Sequence, residues 1–322
     1  MVRALAAVAL ALGPAWAAAQ ERAPLGAATL IVENDIFAGV DEQYTNGTFL
    51  RFAPAALPGW AAWLRGRAGD GAPAGDWRVT YGLGQAMFAP EDLTLRDPPL
   101  DDRPYAGFLF GTVAVSVDSG DRLDTLALDL GVTGRASLAE QTQKFIHRFI
   151  GDDPEGWDTQ LGTELAFRVL YEQHRRYGTG PQAAFWGLDF DAIPQVGIAV
   201  GTLDVSGSAA LTLRAGDGLA GDYGPPRVRR SVADVRRTGA DAWYVFASAE
   251  GRAVGRNLFL DGNTFRDSRS VDKEIFVAEL SVGAAFEWRG AVVSYAHVFR
   301  SPEFETREDW TTFGSLTVRL EF

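Results

Sequence analysis

The sequence predicts an all-β fold: an antiparallel transmembrane β-barrel of about 12 strands carrying one short extracellular loop helix, about 137–150. Three observations lead there. Runs that alternate apolar and polar residues recur along the whole chain. No segment approaches the ~18 to 20 uninterrupted apolar residues of a membrane-spanning helix, whereas barrel strands need only about 9 to 11. The chain closes on Leu316-Thr317-Val318-Arg319-Leu320-Glu321-Phe322, an amphipathic strand with an aromatic last residue, as outer-membrane barrels have. An amphipathic strand of a soluble β-sandwich has the same period, so the alternation alone leaves a soluble binding module open; extraction without detergent would mark it.

The first nineteen residues read as a secretory signal: Arg3, an apolar core Leu5 to Leu12, and small residues Ala17-Ala18-Ala19 before a cleavage point, which leaves 20–322 as one barrel domain. With 9 Trp, 8 Tyr, 20 Phe and 36 Gly the composition suits a β-rich membrane protein, and with 0 Cys there is neither a disulfide framework nor thiolate chemistry. A formal charge of −12 argues against nucleic acid, which needs a basic footprint. Any phosphate recognition has to come from local basic groups.

In chain order the predicted strands are 25–36, 45–53, 77–88, 105–117, 123–134 and 161–175, then 183–200, 203–215, 242–254, 275–288, 291–300 and 312–322. The even number allows closure with both termini on the inner side. The outward connections are then 37–44, 89–104, 134–160, one near Gly201, 255–274 and 301–311. Tight turns at Ser119-Gly120 and Arg289-Gly290 face inward with two longer connections, 54–76 and 217–241, either of which leaves room for a miscounted strand. The second holds Arg227, Arg229, Arg230, Arg236 and Arg237, read as a charged loop.

The helical exception is Glu140–Gly151, where Phe145, Ile146, Phe149 and Ile150 recur at helical offsets and Ser137 with Glu140 matches a capping box. His147 lies within it. A lone histidine on such a helix is ordinarily a surface or packing residue; its other reading is a general base. Strand parity brings two further polar stretches to the same rim. Asp35 and the Asn34 amide end the first strand and offer hard oxygen ligands suited to Ca²⁺. Thr45 opens the second and can position a water, and Gly47 lets a backbone N–H approach an oxyanion closely. Singly, each fits an ordinary strand end or turn.

Taken together, VENDIF (Val32 to Phe37), QYTNGTFLRF (Gln43 to Phe52), DRPYAGF (Asp102 to Phe108), EQTQKFIHRFIG (Glu140 to Gly151), GWDTQL (Gly156 to Leu161), NLFLDGNTF (Asn257 to Phe265), SVDKEIFVAEL (Ser270 to Leu280) and YAHVFRSPEFE (Tyr295 to Glu305) resemble the outer-membrane lipid A 3′-O-deacylases. The resemblance spans nearly the whole chain after the signal. It implies a twelve-stranded barrel in the bacterial outer membrane, with a site between the outer wall and a loop helix, where a Ca²⁺-assisted histidine activates water to cleave an ester of lipid A. On matching positions His147 is the base and Asn34, Asp35 and Thr45 the polar set. Gln143, one turn before His147, shares its face and orients water or substrate.

For the acidic metal ligand after the helix, Asp152, Asp153, Glu155 and Asp158 are available, and Asp153 is chosen. The sequence departs from the family pattern at Ala86, where a lysine can follow the glutamine. Arg103 and Lys144 are candidate contacts for a substrate phosphate; a salt bridge from Arg103 to Asp101 or Asp102 competes with that role. His174 reads as interfacial and His297 as part of the barrel wall. The partners expected are lipid A or lipopolysaccharide and outer-membrane lipids, with the protein a monomer. The alternative is a non-catalytic barrel, a narrow channel or structural protein, which a charged lumen and a His147 turned away from Asp35 would favour.

Overall fold

The computed structural model describes residues 25–38, 46–148, 154–178, 188–224, 227–228 and 241–322. The signal segment, Thr45 and Asp153 lie outside them. The strands are β1 (Gly26–Asn34), β2 (Asn46–Pro54), β3 (Asp76–Phe88), β4 (Ala106–Asp118), β5 (Arg122–Thr133), β6 (Leu165–Arg175), β7 (Tyr177–Gly178), β8 (Asp189–Gly201), β9 (Asp204–Asp217), β10 (Ala242–Asn257), β11 (Phe276–Trp288), β12 (Ala291–Arg300) and β13 (Thr311–Glu321). All are antiparallel to their neighbours in sequence order, and pairing of β1 with β13 closes the sheet into a barrel. β7 is a two-residue extension beside β8, and the other twelve are the predicted strands.

Alternation sorts each strand into a lumen face and a wall face. In β1, Ala27, Thr29, Ile31 and Glu33 point inward and Ala28, Leu30, Val32 and Asn34 outward; in β4, Phe108, Phe110 and Thr112 point inward. The wall face carries exposed Leu50, Leu83, Leu126, Leu165 and Phe286, an apolar belt that closure leaves without a free sheet edge. Long loops gather at one rim, the outer one. At the inner rim lie the chain termini of the barrel and the tight turns at Ser119-Gly120 and Arg289-Gly290.

The lumen is filled. Phe259, on the short helix α3 (Leu258–Asp261), packs against Phe88 and Phe108 at centroid distances of 4.4 and 6.2 Å and caps the outer mouth. Below it runs a network of buried ion pairs: Arg103–Glu303 at 3.6 Å, Arg252–Glu303 at 3.4 Å, Arg300–Glu279 at 3.0 Å and Arg227–Glu33 at 2.5 Å.

Arg227 corrects the reading of the connection 217–241. The described residues of that segment are neither a missed strand nor a solvated loop. They enter the barrel: Arg214 on β9 pairs with Asp222, Tyr223 donates to Asp118 Oδ1 and the Gly120 carbonyl at 3.0 Å each, and Arg227 and Val228 are buried beside Glu33. Desolvated guanidinium groups need carboxylate partners, and the inward-facing Glu33 and Glu279 supply them. His174 is corrected too: it faces the lumen, buried, near the Tyr223 ring. The other long inner connection holds helix α1 (Gly59–Ala68) and no strand.

The loop helix is α2 (Ala139–His147), entered from a 3-10 turn at Gly134–Ser137. The capping box does not form. Leu138, in the left-handed region at φ 58°, occupies the cap position, Ser137 Oγ donates back to the Gly134 carbonyl at 2.6 Å, and Glu140 pairs with Lys144 at 2.8 Å.

Candidate active site

Five adjacent strands present one cross-strand row of outward-facing positions near the outer rim. Gly107 of β4 lies opposite Met87 of β3, Met87 opposite Asn46 of β2, and Asn34 of β1 opposite Gly314 of β13; Glu33 opposite Gly47 brings Asn34 and Asn46 side by side. At about 4.8 Å per strand the row is roughly 19 Å long. His297, from β12, continues it opposite Gly314.

Each glycine seats a rim element against the wall. A Cβ at Gly107 would stand 2.2 Å from Ser137 Oγ and 2.3 Å from the Ala139 Cβ, so the start of α2 rests on that bare backbone. A Cβ at Gly314 would stand 2.5 Å from the Phe37 Cβ, so the 3-10 turn Asp35–Ala38 folds over the outside of β13. Tyr295 O–H, also outward, holds that turn through the Phe37 carbonyl at 3.2 Å and contacts His297 Nδ1 at 3.3 Å. Gln85 on the wall donates to the Ser137 carbonyl at 2.7 Å, a second tie to the start of the helix.

Between these anchors the helix is built inside out. Its most buried positions are Ala139, Gln143 and His147, spaced i, i+4 and i+8 on one face, while Phe145 is 58% exposed. A water-soluble helix buries its apolar stripe and solvates the polar one. Here Gln143 and His147 are 1% and 4% exposed. Trp157, from the 3-10 turn Gly156–Thr159, donates its indole N–H to Gln143 Oε1 at 2.6 Å and stacks on Tyr105. Among the described residues, Gln143 Nε2 and His147 Nδ1 have no hydrogen-bond partner. Buried polar atoms of that kind need an explanation, and an ordered water or a substrate group is a common one.

Asp35 is buried at 1% exposure and opens the turn that follows Asn34. Asn34 Oδ1 accepts from Ile36 N–H at 2.8 Å, and Asn46 Oδ1 accepts from Thr48 Oγ at 2.9 Å. The donors at this end are one carboxylate and two amides, all oxygen, which suit a hard cation such as Ca²⁺ and not a thiophilic metal. No group of three or more His, Cys, Asp or Glu able to hold a metal occurs among the described residues.

The three expected substrate contacts sit in different surroundings. Gly47 sits in the ladder between Glu33 and Ala86 on the lumen parity, not on the wall. Arg103 turns into the barrel mouth, stacks 4.7 Å over Phe88 and pairs with Glu303 rather than with Asp101 or Asp102; burial pulls its pKa down, with Glu303 opposing the shift. Lys144 is half exposed and paired with Glu140. Ala86 also faces the lumen, in the apolar cluster with Phe88 and Phe108, so the place where the family pattern has lysine does not open on the wall. His297, Tyr295 and the seating glycines were not visible as site residues in the sequence, because only strand register aligns them with Asn34.

A family model described as "Outer membrane protein LpxR" matches residues 4–322. Among solved structures, LpxR from Salmonella typhimurium superposes with a TM-score of 0.76 at 19% identity, covering 92% of this chain and 100% of that one. The β domain of the Bordetella autotransporter BrkA follows at a TM-score of 0.44 and 11% identity, covering 94% and 100%. No curated protein matches the sequence.

Proposed function

This chain belongs to the LpxR family of outer membrane proteins, and from that membership we propose that it is a lipid A 3′-O-deacylase whose site lies on the outer wall of the barrel beneath α2. The observation that carries the proposal is the buried face of Gln143 and His147 under an exposed Phe145. A helix with polar groups toward the wall and apolar ones toward the bilayer suits an ester whose acyl chain lies in lipid. A lumen packed with side chains leaves the wall as the working surface.

In the reaction His147 takes a proton from water as the oxygen attacks the ester carbonyl carbon. Gln143 Nε2, which has no partner among the described residues while its carbonyl is held by Trp157, donates to the developing oxyanion. Collapse breaks the bond to the sugar oxygen, which takes the proton back from the imidazolium. The products are a free fatty acid and a sugar hydroxyl. α2 is about 13 Å long at 1.5 Å per residue, close to the roughly 14 Å between β4 and β1, so its length is sufficient for His147 to work beside Asp35. Asp35 and Asn34, with Thr45 and Asp153, would hold Ca²⁺, which when bound supplies Lewis-acid polarisation of the ester carbonyl.

The charged lumen favours a second reading, a non-catalytic barrel. Its charges are mutually paired and interleaved with packed aromatics, which gives that lumen a structural role and leaves the outer wall free for chemistry. Mass spectrometry of lipid A incubated with detergent-purified protein separates the two. The deacylase loses a 3′-linked acyl group with Ca²⁺ and not with EDTA, and His147→Ala or Asp35→Ala slows the loss by about 10² to 10⁴. An unchanged spectrum from folded protein would support the passive barrel.

A further inference from the structure

Helix α1 lies at the inner rim, the end opposite the proposed site. Its sequence, GWAAWLRGRA, buries only Ala61. Trp60, Trp63, Leu64 and Arg67 recur at i, i+3, i+4 and i+7 and so share one face, and that face is exposed, with Trp63 at 57%. Trp60 Nε1 donates to the hydroxyl of Tyr81 at 2.8 Å, and Tyr81 is a wall residue of β3. The helix is therefore tied to the lipid side of the barrel.

The surface it continues is already a membrane interface. At the inner ends of β3, β10 and β11, the outward residues Trp77, Trp243 and Trp288 form part of an aromatic girdle, with Arg289 stacked 4.9 Å over Trp288. Arg67 stacks over Trp63 at 5.0 Å in the same way. Indole rings favour the headgroup boundary, and arginines beside them meet lipid phosphate.

We infer that α1 is an in-plane helix embedded in the phospholipid leaflet that faces the periplasm, with Trp60, Trp63 and Leu64 below the headgroups and Arg67 among the phosphates. The connection 54–76 is then a second lipid-binding surface on the molecule, at the opposite end from the proposed lipid A site. Charge, aromatic content and continuity with the girdle select a lipid surface over a protein partner.

The absence of cysteine makes the test direct. Trp63→Cys and Leu64→Cys, with Ala62→Cys on the opposite face as control, are labelled with a nitrobenzoxadiazole dye. The labelled barrels are reconstituted in phosphatidylethanolamine–phosphatidylglycerol vesicles with nitroxide-bearing lipids. Retention of the folded, heat-modifiable band selects intact protein. The inference requires blue-shifted emission at 63 and 64, loss of most of that emission to a nitroxide near the headgroup, and water-like, unquenched emission at 62. Water-like emission at all three positions overturns it, as does equal quenching at all three. A blue shift at 63 without lipid quenching also overturns it, because a second copy or a protein would then cover the face.

Discussion

At the scale of single residues, the hydrogen bond from Trp157 to Gln143 is the contact that most constrains the chemistry. With its carbonyl held by the indole, the Gln143 amide can aim only its N–H group at the space it shares with His147. Trp157→Phe keeps an aromatic ring against Tyr105 but removes that donor, leaving a buried carbonyl unsatisfied at a cost of about 1–3 kcal/mol. The expected outcome is a kcat on lipid A about tenfold lower with KM little changed, because the lost orientation matters when the oxyanion forms. Equal kcat for both proteins would remove Gln143 from the proposed mechanism. The sequence placed Gln143 one turn from His147, and it marked Trp157 only as part of GWDTQL, with no link to a glutamine fourteen residues earlier in a different element.

Among elements, the seating of α2 on the wall is decided by one backbone position. Gly107→Ala places a methyl group where Ser137 and Ala139 already lie, so the helix must lift. Gly111→Ala, on the same strand and the same face, meets nothing closer than the Gly82 carbonyl at 3.8 Å. Deacylation by Gly107→Ala is expected to fall more than tenfold while the barrel keeps its heat-modifiable migration; Gly111→Ala is expected to match wild type in both assays. Equal activity in the two variants would show that the helix position does not matter. Apolar periodicity located this helix in the sequence, and its packing on the wall decides which face is buried. In a protein bathed by lipid the apolar stripe of Phe145 has no need to turn inward.

For the whole molecule, the filled lumen separates scaffold from site. Arg227 bridges Glu33 on β1 and Glu279 on β11, and thereby links the re-entrant segment to two distant strands. Arg227→Ala removes from the interior the guanidinium that Glu33 and Glu279 share, Glu279 keeping Arg300, and should cost about 3–5 kcal/mol of stability. It is expected to lower the temperature at which the heat-modifiable band is lost while the specific activity of folded protein stays that of wild type. A parallel loss of activity would tie the lumen to catalysis.

By itself the sequence determined the alternation, and with it twelve strands, their order, the two sides of the barrel and the place of the loop helix. These follow from local periodicity, since each strand's inward and outward faces are set by every second side chain. Its motifs also brought His147, Gln143, Asn34 and Asp35 under suspicion, although one at a time each had an ordinary explanation. Tertiary structure alone decided what register and burial decide: the row from Gly107 through Asn34 to His297, the inward turn of Arg103 and Gly47, the polar face of α2, and the burial of Tyr223, Arg227 and Val228 inside the barrel. Those outcomes depend on partners far apart in the chain, where the pairing of buried charge and the room left by a missing Cβ outweigh any local preference.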